Sequence, residues 1–252
     1  MLQEAPTRTD AVPFDSGSGG SRVTYTSGQA AFGAGCDLRD KLTALAAELF
    51  EGAADRIQLR SGYFSMDGDS RRAISIKELV ARASAGGQKT VRGEMDYTST
   101  PAEITSYCAQ IAEVTVDPDT GQVKVEKIVT VHDVGTILNP LSHQGQVEGG
   151  VIQGLGYALT EEMQTEDGHI STLSLGDYKI PNIGDVPELV TVLLEPAPGP
   201  APYESKGIGE SSNTPVAAAI ANAVFDAVGV RIMDLPITAE KVFHALQAKQ
   251  GN

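Results

Sequence analysis

AEVTVDPDTGQVKVEKIVTVHD, residues 112–133, decides what kind of sheet this chain builds. Val114 and Val116 alternate with polar residues, DPDTG (117–121) carries turn chemistry, and Val123 and Val125 resume the alternation, which is the pattern of a β-hairpin. The alternation changes phase between Val125 and Ile128. A bulge or twist is therefore expected near Glu126 and Lys127, with His132 and Asp133 at the end of the strand.

The next stretch, GTILNPLSHQGQVEGGVIQGLGYALTEE (135–162), sets Gly145, Gly149, Gly150, Gly154 and Gly156 among apolar residues. Each glycine inside a helix costs about 1 kcal/mol relative to alanine, so something is expected to approach this backbone closely. GLGYAL, from Gly154, has Leu159 where a dinucleotide-binding fingerprint needs a small residue, so nicotinamide binding is disfavoured. Close helix packing through small residues accounts for the glycines. It leaves Gln144 and Gln146 unexplained, and their amides can read the donors and acceptors of a heterocycle.

Around this centre the chain alternates helical and strand signals. Leu38, Leu42, Leu45 and Leu49 recur at helical spacing after Ser27, a candidate N-cap. Ser75 and Glu78 form a capping box, with a Gly86–Gly87 stop. Thr214 and Pro215 open a helix with an apolar stripe of Val216, Ile220, Val224 and Val228 that ends near Gly229. Thr238 caps a last helix, with Ile237 and Val242 placed as a hydrophobic staple. The fold class that follows is α+β, with helices packed on mixed β-sheets.

Composition removes whole classes of function. With 19 Lys+Arg against 33 Asp+Glu the formal net charge is −14, which opposes binding to nucleic acid or anionic lipid. No run of about 18 apolar residues is present, and the first residues lack the basic-then-apolar order of a secretory signal, so a cytoplasmic location is expected. Cys36 and Cys108 are far apart and form no CxxC, so this chain builds neither an iron–sulfur cluster nor a structural zinc site from cysteine.

Two segments carry candidate chemistry. DSGSGGSR (15–22) has the composition of a linker, yet it feeds a helix and can offer backbone N–H groups to a phosphate; no Gly-Lys-Ser/Thr follows, so it is not a P-loop. SKGIGESSNTPVAAAI (205–220) sets Glu210 after glycines and just before a helix, where the positive end of the helix dipole favours a negative charge. Taken alone, that carboxylate could equally be a solvated surface charge.

Read in order, GSGGSRVTYTSGQAA, the hairpin with HDVGTILNP, GQVEGGVIQGLGYALTEE, DYKIP, KGIGESS and AIANAVFDAVGVRIMDLPITAEKV together resemble the xanthine dehydrogenase and aldehyde oxidase family of molybdenum hydroxylases. The resemblance covers about residues 15–242 and corresponds to the C-terminal part of the family's molybdopterin-binding large subunit. On that basis 1–252 reads as one molybdopterin-binding domain, divisible into two subdomains near 105–112.

Carried over residue by residue, the resemblance implies that Gly20, Ser21 and Arg22 contact the phosphate end of a molybdopterin cytosine dinucleotide. Gln146 would hydrogen-bond the pterin, and Gly209 and Glu210 would face the molybdenum, which the cofactor's own sulfurs hold without a protein ligand. The implied reaction is hydroxylation of an aldehyde or N-heteroaromatic carbon with water as oxygen source and Glu210 as general base. The implied partners are a second molybdopterin-binding chain, an iron–sulfur subunit carrying the clusters, a flavin subunit carrying FAD, and a small-molecule substrate, with no nucleic acid and no membrane. Glu204 and Ser205 depart from the small residues that often precede the family's lysine. A non-catalytic paralogue serving as an assembly or binding module is the alternative reading, and Tyr178 in GDYKIP is a candidate to line the substrate funnel.

Overall fold

The computed structural model describes residues 10, 14–15, 17–85, 90–98, 106–195 and 198–251. The chain divides into two compact units, one of Met1–Gly17 with Tyr25–Pro101 and one of Ser18–Thr24 with Ala102–Asn252.

In the first unit the long helix α1 (Val23–Phe50), whose first two residues belong to the second unit, buries Leu42, Ala46 and Ala47. These meet a three-stranded antiparallel sheet, β1 (Ile57–Arg60), β2 (Tyr63–Met66) and β3 (Ala73–Ser75), through Ile57, Phe64, Met66 and Ile74. Leu38 and Leu45 pack on the margin of this cluster, whereas Leu49 is 36% exposed. Helix α2 (Ile76–Ala85) adds Leu79. The expected capping box is present: the Glu78 amide donates to Ser75 Oγ at 3.2 Å, and the Ser75 amide donates to Glu78 Oε2 at 3.2 Å. Gly86 and Gly87 lie outside the described residues. Ser27 is not an N-cap. The helix starts four residues earlier, because nothing in VTYT forbids helical backbone and the turn is completed upstream at Gly20 and Ser21.

The second unit is built on the hairpin. Strands β4 (Cys108–Val116) and β5 (Val123–Asp133) pair antiparallel; Glu113 faces Lys127 and Val114 faces Val125, so Glu126 is the extra residue of a bulge. Helix α3 (Pro140–Leu159), the short ribbon β6 (Thr165–Glu166) and β7 (His169–Ile170), and β8 (Glu188–Leu194) follow. Strand β8 pairs parallel with β5, which makes the sheet β4-β5-β8 mixed. Helices α4 (Val216–Val228) and α5 (Ala239–Gln250) complete the unit.

Its core joins Val125 and Ile128 of the sheet to Val151, Leu155 and Ala158 of α3, to Val216, Ile220 and Val224 of α4, and to Val242 and Leu246 of α5. Ile237 and Val242 are both buried there, and Thr238 caps α5 by accepting from the Lys241 amide. Gly229 ends α4 in the left-handed region at φ 68°. Thr214 does not cap α4: its hydroxyl lies 3.4 Å from the Glu210 carbonyl and donates to it, and Pro215 leads directly into the helix.

The glycines of α3 divide into three kinds, one of them Gly156, where a Cβ would run into Glu161 and Pro181. A Cβ at Gly150 would run into Ser212 Oγ, and one at Gly154 into Val216, so the approach expected from the sequence is made by the start of α4. Gly145 and Gly149 have nothing within 4 Å of such a Cβ. On the sheet beside this contact, Gln110 Nε2 donates to Thr130 Oγ1 (3.0 Å) and to the Ser212 carbonyl (2.7 Å). Thr130 Oγ1 lies 2.6 Å from His132 Nε2, which is 3.4 Å from Cys108 Sγ. Burial disfavours both charged forms here, lowering the His132 pKa and raising that of the Cys108 thiol.

Two measurements check this packing. Gly154→Ala crowds Val216 and should destabilise the chain by about 1–3 kcal/mol in urea, whereas Gly149→Ala gains helix propensity at an open position and should stabilise it by up to about 1 kcal/mol. Because the native His132 resists protonation more than the unfolded chain does, the unfolded state binds the extra proton below about pH 6.5. Stability should fall as pH drops from about 6.5 toward the native pKa, by at most about 1.4 kcal/mol per pH unit, and His132→Gln should flatten that part of the profile.

Candidate functional site

Three chain segments of the second unit converge on a cleft of about 560 Å³. They are the turn at 18–24, the stretch 138–146 that enters the first turns of α3, and the loop 206–210 that precedes α4. Each is shaped by local sequence. Asn139 caps α3 by accepting from the Ser142 amide (3.0 Å), with Pro140 at the first helical position. Ser21 adopts φ 58° directly after Gly20 at φ 63°, so two successive left-handed residues turn the chain sharply before α1.

Glu210 is gripped at both ends by Ser21. The Ser21 hydroxyl accepts from the Glu210 amide at 2.8 Å and donates to Glu210 Oε2 at 3.1 Å. The glycines of KGIGE serve this approach. A Cβ at Gly207 would strike the Ser21 carbonyl, and one at Gly209 would stand 3.2 Å from Ser21 Oγ. Gln146 Nε2 donates to the Gly209 carbonyl at 3.3 Å, which ties α3 to the same loop. The Glu210 carbonyl accepts from the Asn213 amide (3.3 Å) and the Thr214 hydroxyl (3.4 Å), while Tyr157 donates its hydroxyl to the Asn213 carbonyl.

The lower wall holds an ion pair. Lys206 Nζ and Asp133 Oδ2 are 2.6 Å apart with side chains 6% and 8% exposed. The Lys206 amide donates to the Val134 carbonyl (2.9 Å), and Gly135 bridges Ser205. Glu204 sits at φ 64°, and its carbonyl occupies the space a Cβ on Gly135 would take, so the unusual Glu204–Ser205 pair forms a tight turn below the cleft. His143, buried on α3, places its Nδ1 2.9 Å from the Asn139 carbonyl and also lines the cleft.

Of the residues singled out from the sequence, Ser21, Gln146, Gly209 and Glu210 line one cleft. Gly20 and Arg22 are exposed beside it and are not part of its lining. Gln144 turns away to donate to Glu148 (2.8 Å). Tyr178 is not a cleft residue either: its hydroxyl donates to Glu161 Oε2 at 2.6 Å, which raises the tyrosine pKa. Sequence reasoning missed the Asp133–Lys206 pair and His143. The available signal was Asp133 at a strand end and the lysine of KGIGE, but nothing in the spacing relates positions 73 residues apart.

Comparison with known proteins sets this geometry in a family. Residues 3–187 match the molybdopterin cofactor-binding domain. The chain is 35% identical over 242 residues to the putative xanthine dehydrogenase molybdenum-binding subunit XdhA of Escherichia coli K12, covering 93% of this chain and 32% of that protein. It is 33% identical over 251 residues to the 6-hydroxypseudooxynicotine dehydrogenase complex subunit gamma of Paenarthrobacter nicotinovorans, covering 95% of this chain and 31% of that one. The chain thus spans about a third of the length of the curated relatives it matches. Among solved structures, quinoline 2-oxidoreductase from Pseudomonas putida 86 superposes with a TM-score of 0.73 at 31% identity, over 83% of this chain and 28% of that one. The Cu,Mo-CO dehydrogenase shares the fold at a TM-score of 0.81 and 24% identity, over 96% of this chain and 31% of that one. With a family match over residues 3–187 and a cleft built from the segments that carry the motifs, the chain belongs to the molybdopterin-binding large subunits of the xanthine dehydrogenase and aldehyde oxidase family.

Proposed function

We propose that this chain supplies the pterin-binding cleft and the catalytic carboxylate of a molybdenum hydroxylase. The observation that carries the reading is Glu210, a carboxylate held at amide and side chain by Ser21 in a cleft where, among the described residues, no ion pair reaches it. The reaction is oxidation of an aldehyde or N-heteroaromatic carbon with water as oxygen source. Carbon–hydrogen and water become carbon–hydroxyl, releasing two protons and two electrons. Relatives named for xanthine, nicotine and aldehyde oxidation support that substrate class.

The residues present fit molybdopterin. A group that carries its own sulfur ligands needs hydrogen-bond partners and close backbone rather than protein metal ligands. The cleft offers the Gln146 amide, the Ser18 hydroxyl and the backbone of Gly19, Gly207 and Gly209. Beside them Gly20, exposed at φ 63°, has open space where a Cβ would stand, so a phosphate could approach the backbone N–H groups of this turn. Gly20, Ser21 and Arg22 would hold the dinucleotide end, in its cytosine form, and Gln146 and Gly209 the pterin. Bound there, the cofactor supplies the two-electron oxidant.

The protein's own part is proton transfer and order. Glu210 takes a proton at its carboxylate as water is activated, and the Ser21 hydroxyl on Oε2 fixes which way that carboxylate points. Gln146, through the Gly209 carbonyl, keeps the loop from drifting away from α3. The electrons leave through an iron–sulfur subunit and a flavin subunit, and a second molybdopterin-binding chain completes the cofactor enclosure. Relatives named as subunits support such an assembly.

Two variants of the assembled complex test the reading. Glu210→Gln should keep molybdenum content and assembly while single-turnover reduction of the metal by substrate slows by about 100-fold or more, and a rate near wild type would remove Glu210 from the chemistry. Gly20→Val, strained at positive φ and placing a side chain over the open backbone of the turn, should assemble with lowered pterin and molybdenum content; full content would return 15–22 to the role of a linker.

A further inference from the structure

The buried pair Asp133–Lys206 has no part in the roles just assigned, yet one of its members lines the same cleft as Glu210. Among the described residues, Lys206 and His143 are the basic side chains in that lining. A lysine ammonium is a compact charge on a flexible four-carbon arm, and it pairs with whichever carboxylate its stem can reach. Glu210 is four residues further along the same loop, and among the described residues its carboxylate accepts from the neutral Ser21 hydroxyl alone. An ammonium on Glu210 would oppose proton uptake, because a cation close by favours the ionised carboxylate and occupies its lone pairs.

What prevents this is geometry. The Lys206 amide is fixed to the Val134 carbonyl, and the Gly135–Ser205 bridge sets the two backbones side by side, so the lysine arm runs straight to Asp133 Oδ2. Asp133 in turn is anchored at the end of β5, and its Oδ1 accepts from the Gly135 amide at 3.3 Å. With both side chains more than nine-tenths buried, the pair excludes water and the ammonium has little reason to leave.

We propose that Asp133 is a positioning residue that sequesters the Lys206 ammonium, keeping the Glu210 carboxylate free of a cation in the shared cleft. Its consequence for turnover rests on the reading of Glu210 as base, but the sequestration itself does not.

The test uses the full chain with ¹³C-labelled glutamate carboxylates, the Glu210 signal being assigned by its loss in Glu210→Gln. Asp133→Asn should release Lys206 toward Glu210 and lower the Glu210 titration midpoint by about one pH unit or more. The neutral double variant Asp133→Asn/Lys206→Met should return the midpoint to within about 0.3 units of wild type, because the lysine charge is then absent while His143 and Arg22 are common to every variant. In the assembled complex, turnover should drop about tenfold in Asp133→Asn and recover in the double variant.

A pair that is merely structural would leave the Glu210 midpoint unmoved in Asp133→Asn, and that result overturns the proposal, as does a shift that persists once Lys206 is gone. Should Asp133→Asn fail to fold, Asp133→Ser takes its place in the same titration with the same expected shift; an unmoved Glu210 midpoint there overturns the proposal, as does a midpoint displaced by more than about 0.5 units in the double variant, which shows that Lys206 already acts on Glu210. If Glu210→Gln turns over normally, the catalytic reading falls while the titration still decides the pairing.

Discussion

The contact on which the second unit depends is the close approach of α3 to the segment entering α4, made through Gly150 and Gly154. Ser212 and Val216 occupy the space that side chains at those positions would need. The cost of glycine in a helix, about 1 kcal/mol each, is thereby exchanged for burial of Val151, Leu155, Val216 and Ile220 in one core. The loop 206–210 that lines the cleft takes the position of its C-terminal end from this packing. The loop bearing Glu210 is the stretch of chain immediately upstream of Ser212, and its C-terminal end cannot move without opening the helix pair.

The rest of the loop is held by polar bonds rather than by apolar contact. Ser212 is tied by its carbonyl to Gln110, Asn213 to Tyr157, Gly209 to Gln146, Glu210 to Ser21, and Lys206 to Asp133. Each such bond contributes modestly on its own, about 0.5–1.5 kcal/mol net, but they arrive from the sheet, from α3 and from the 18–24 turn. A loop restrained from several directions keeps a carboxylate in one orientation, which proton transfer at a fixed atom requires. Glycine is needed at 207 because the Ser21 backbone lies against it, so the spacing in KGIGE records a contact with the protein's own chain as much as with any ligand.

Legibility in the sequence followed the range of the interaction. The hairpin, its bulge at Glu126, the capping box at Ser75 and Glu78, the Thr238 cap and the Gly229 stop all rest on contacts within a few residues, and all are found where the local pattern puts them. Two other helix starts were less legible. Ser27 and Thr214 have the chemistry of caps, but a helix begins wherever backbone geometry first allows it, and Thr214 was drawn off to the Glu210 carbonyl. At the site, Glu210, Gln146, Gly209 and Ser21 were identified from motif order, and they line one cleft. The Asp133–Lys206 pair and the Cys108–His132–Thr130–Gln110 network were not legible, since a strand-end aspartate or a strand histidine acquires its partner only once distant segments have been brought together.

Ser18–Thr24 belong to the second unit although the polypeptide then leaves for 77 residues, Tyr25 to Pro101, before returning to it. The unit that carries the cleft is therefore discontinuous in the gene. A fragment cut at residue 102 would retain the mixed sheet and all three helices α3, α4 and α5, and would look complete by secondary structure. It would nevertheless lack Ser21, leaving the Glu210 amide and carboxylate without their shared partner. Modular exchange of this region between proteins, by recombination or by engineering, must therefore carry a seven-residue N-terminal piece along with the body it completes.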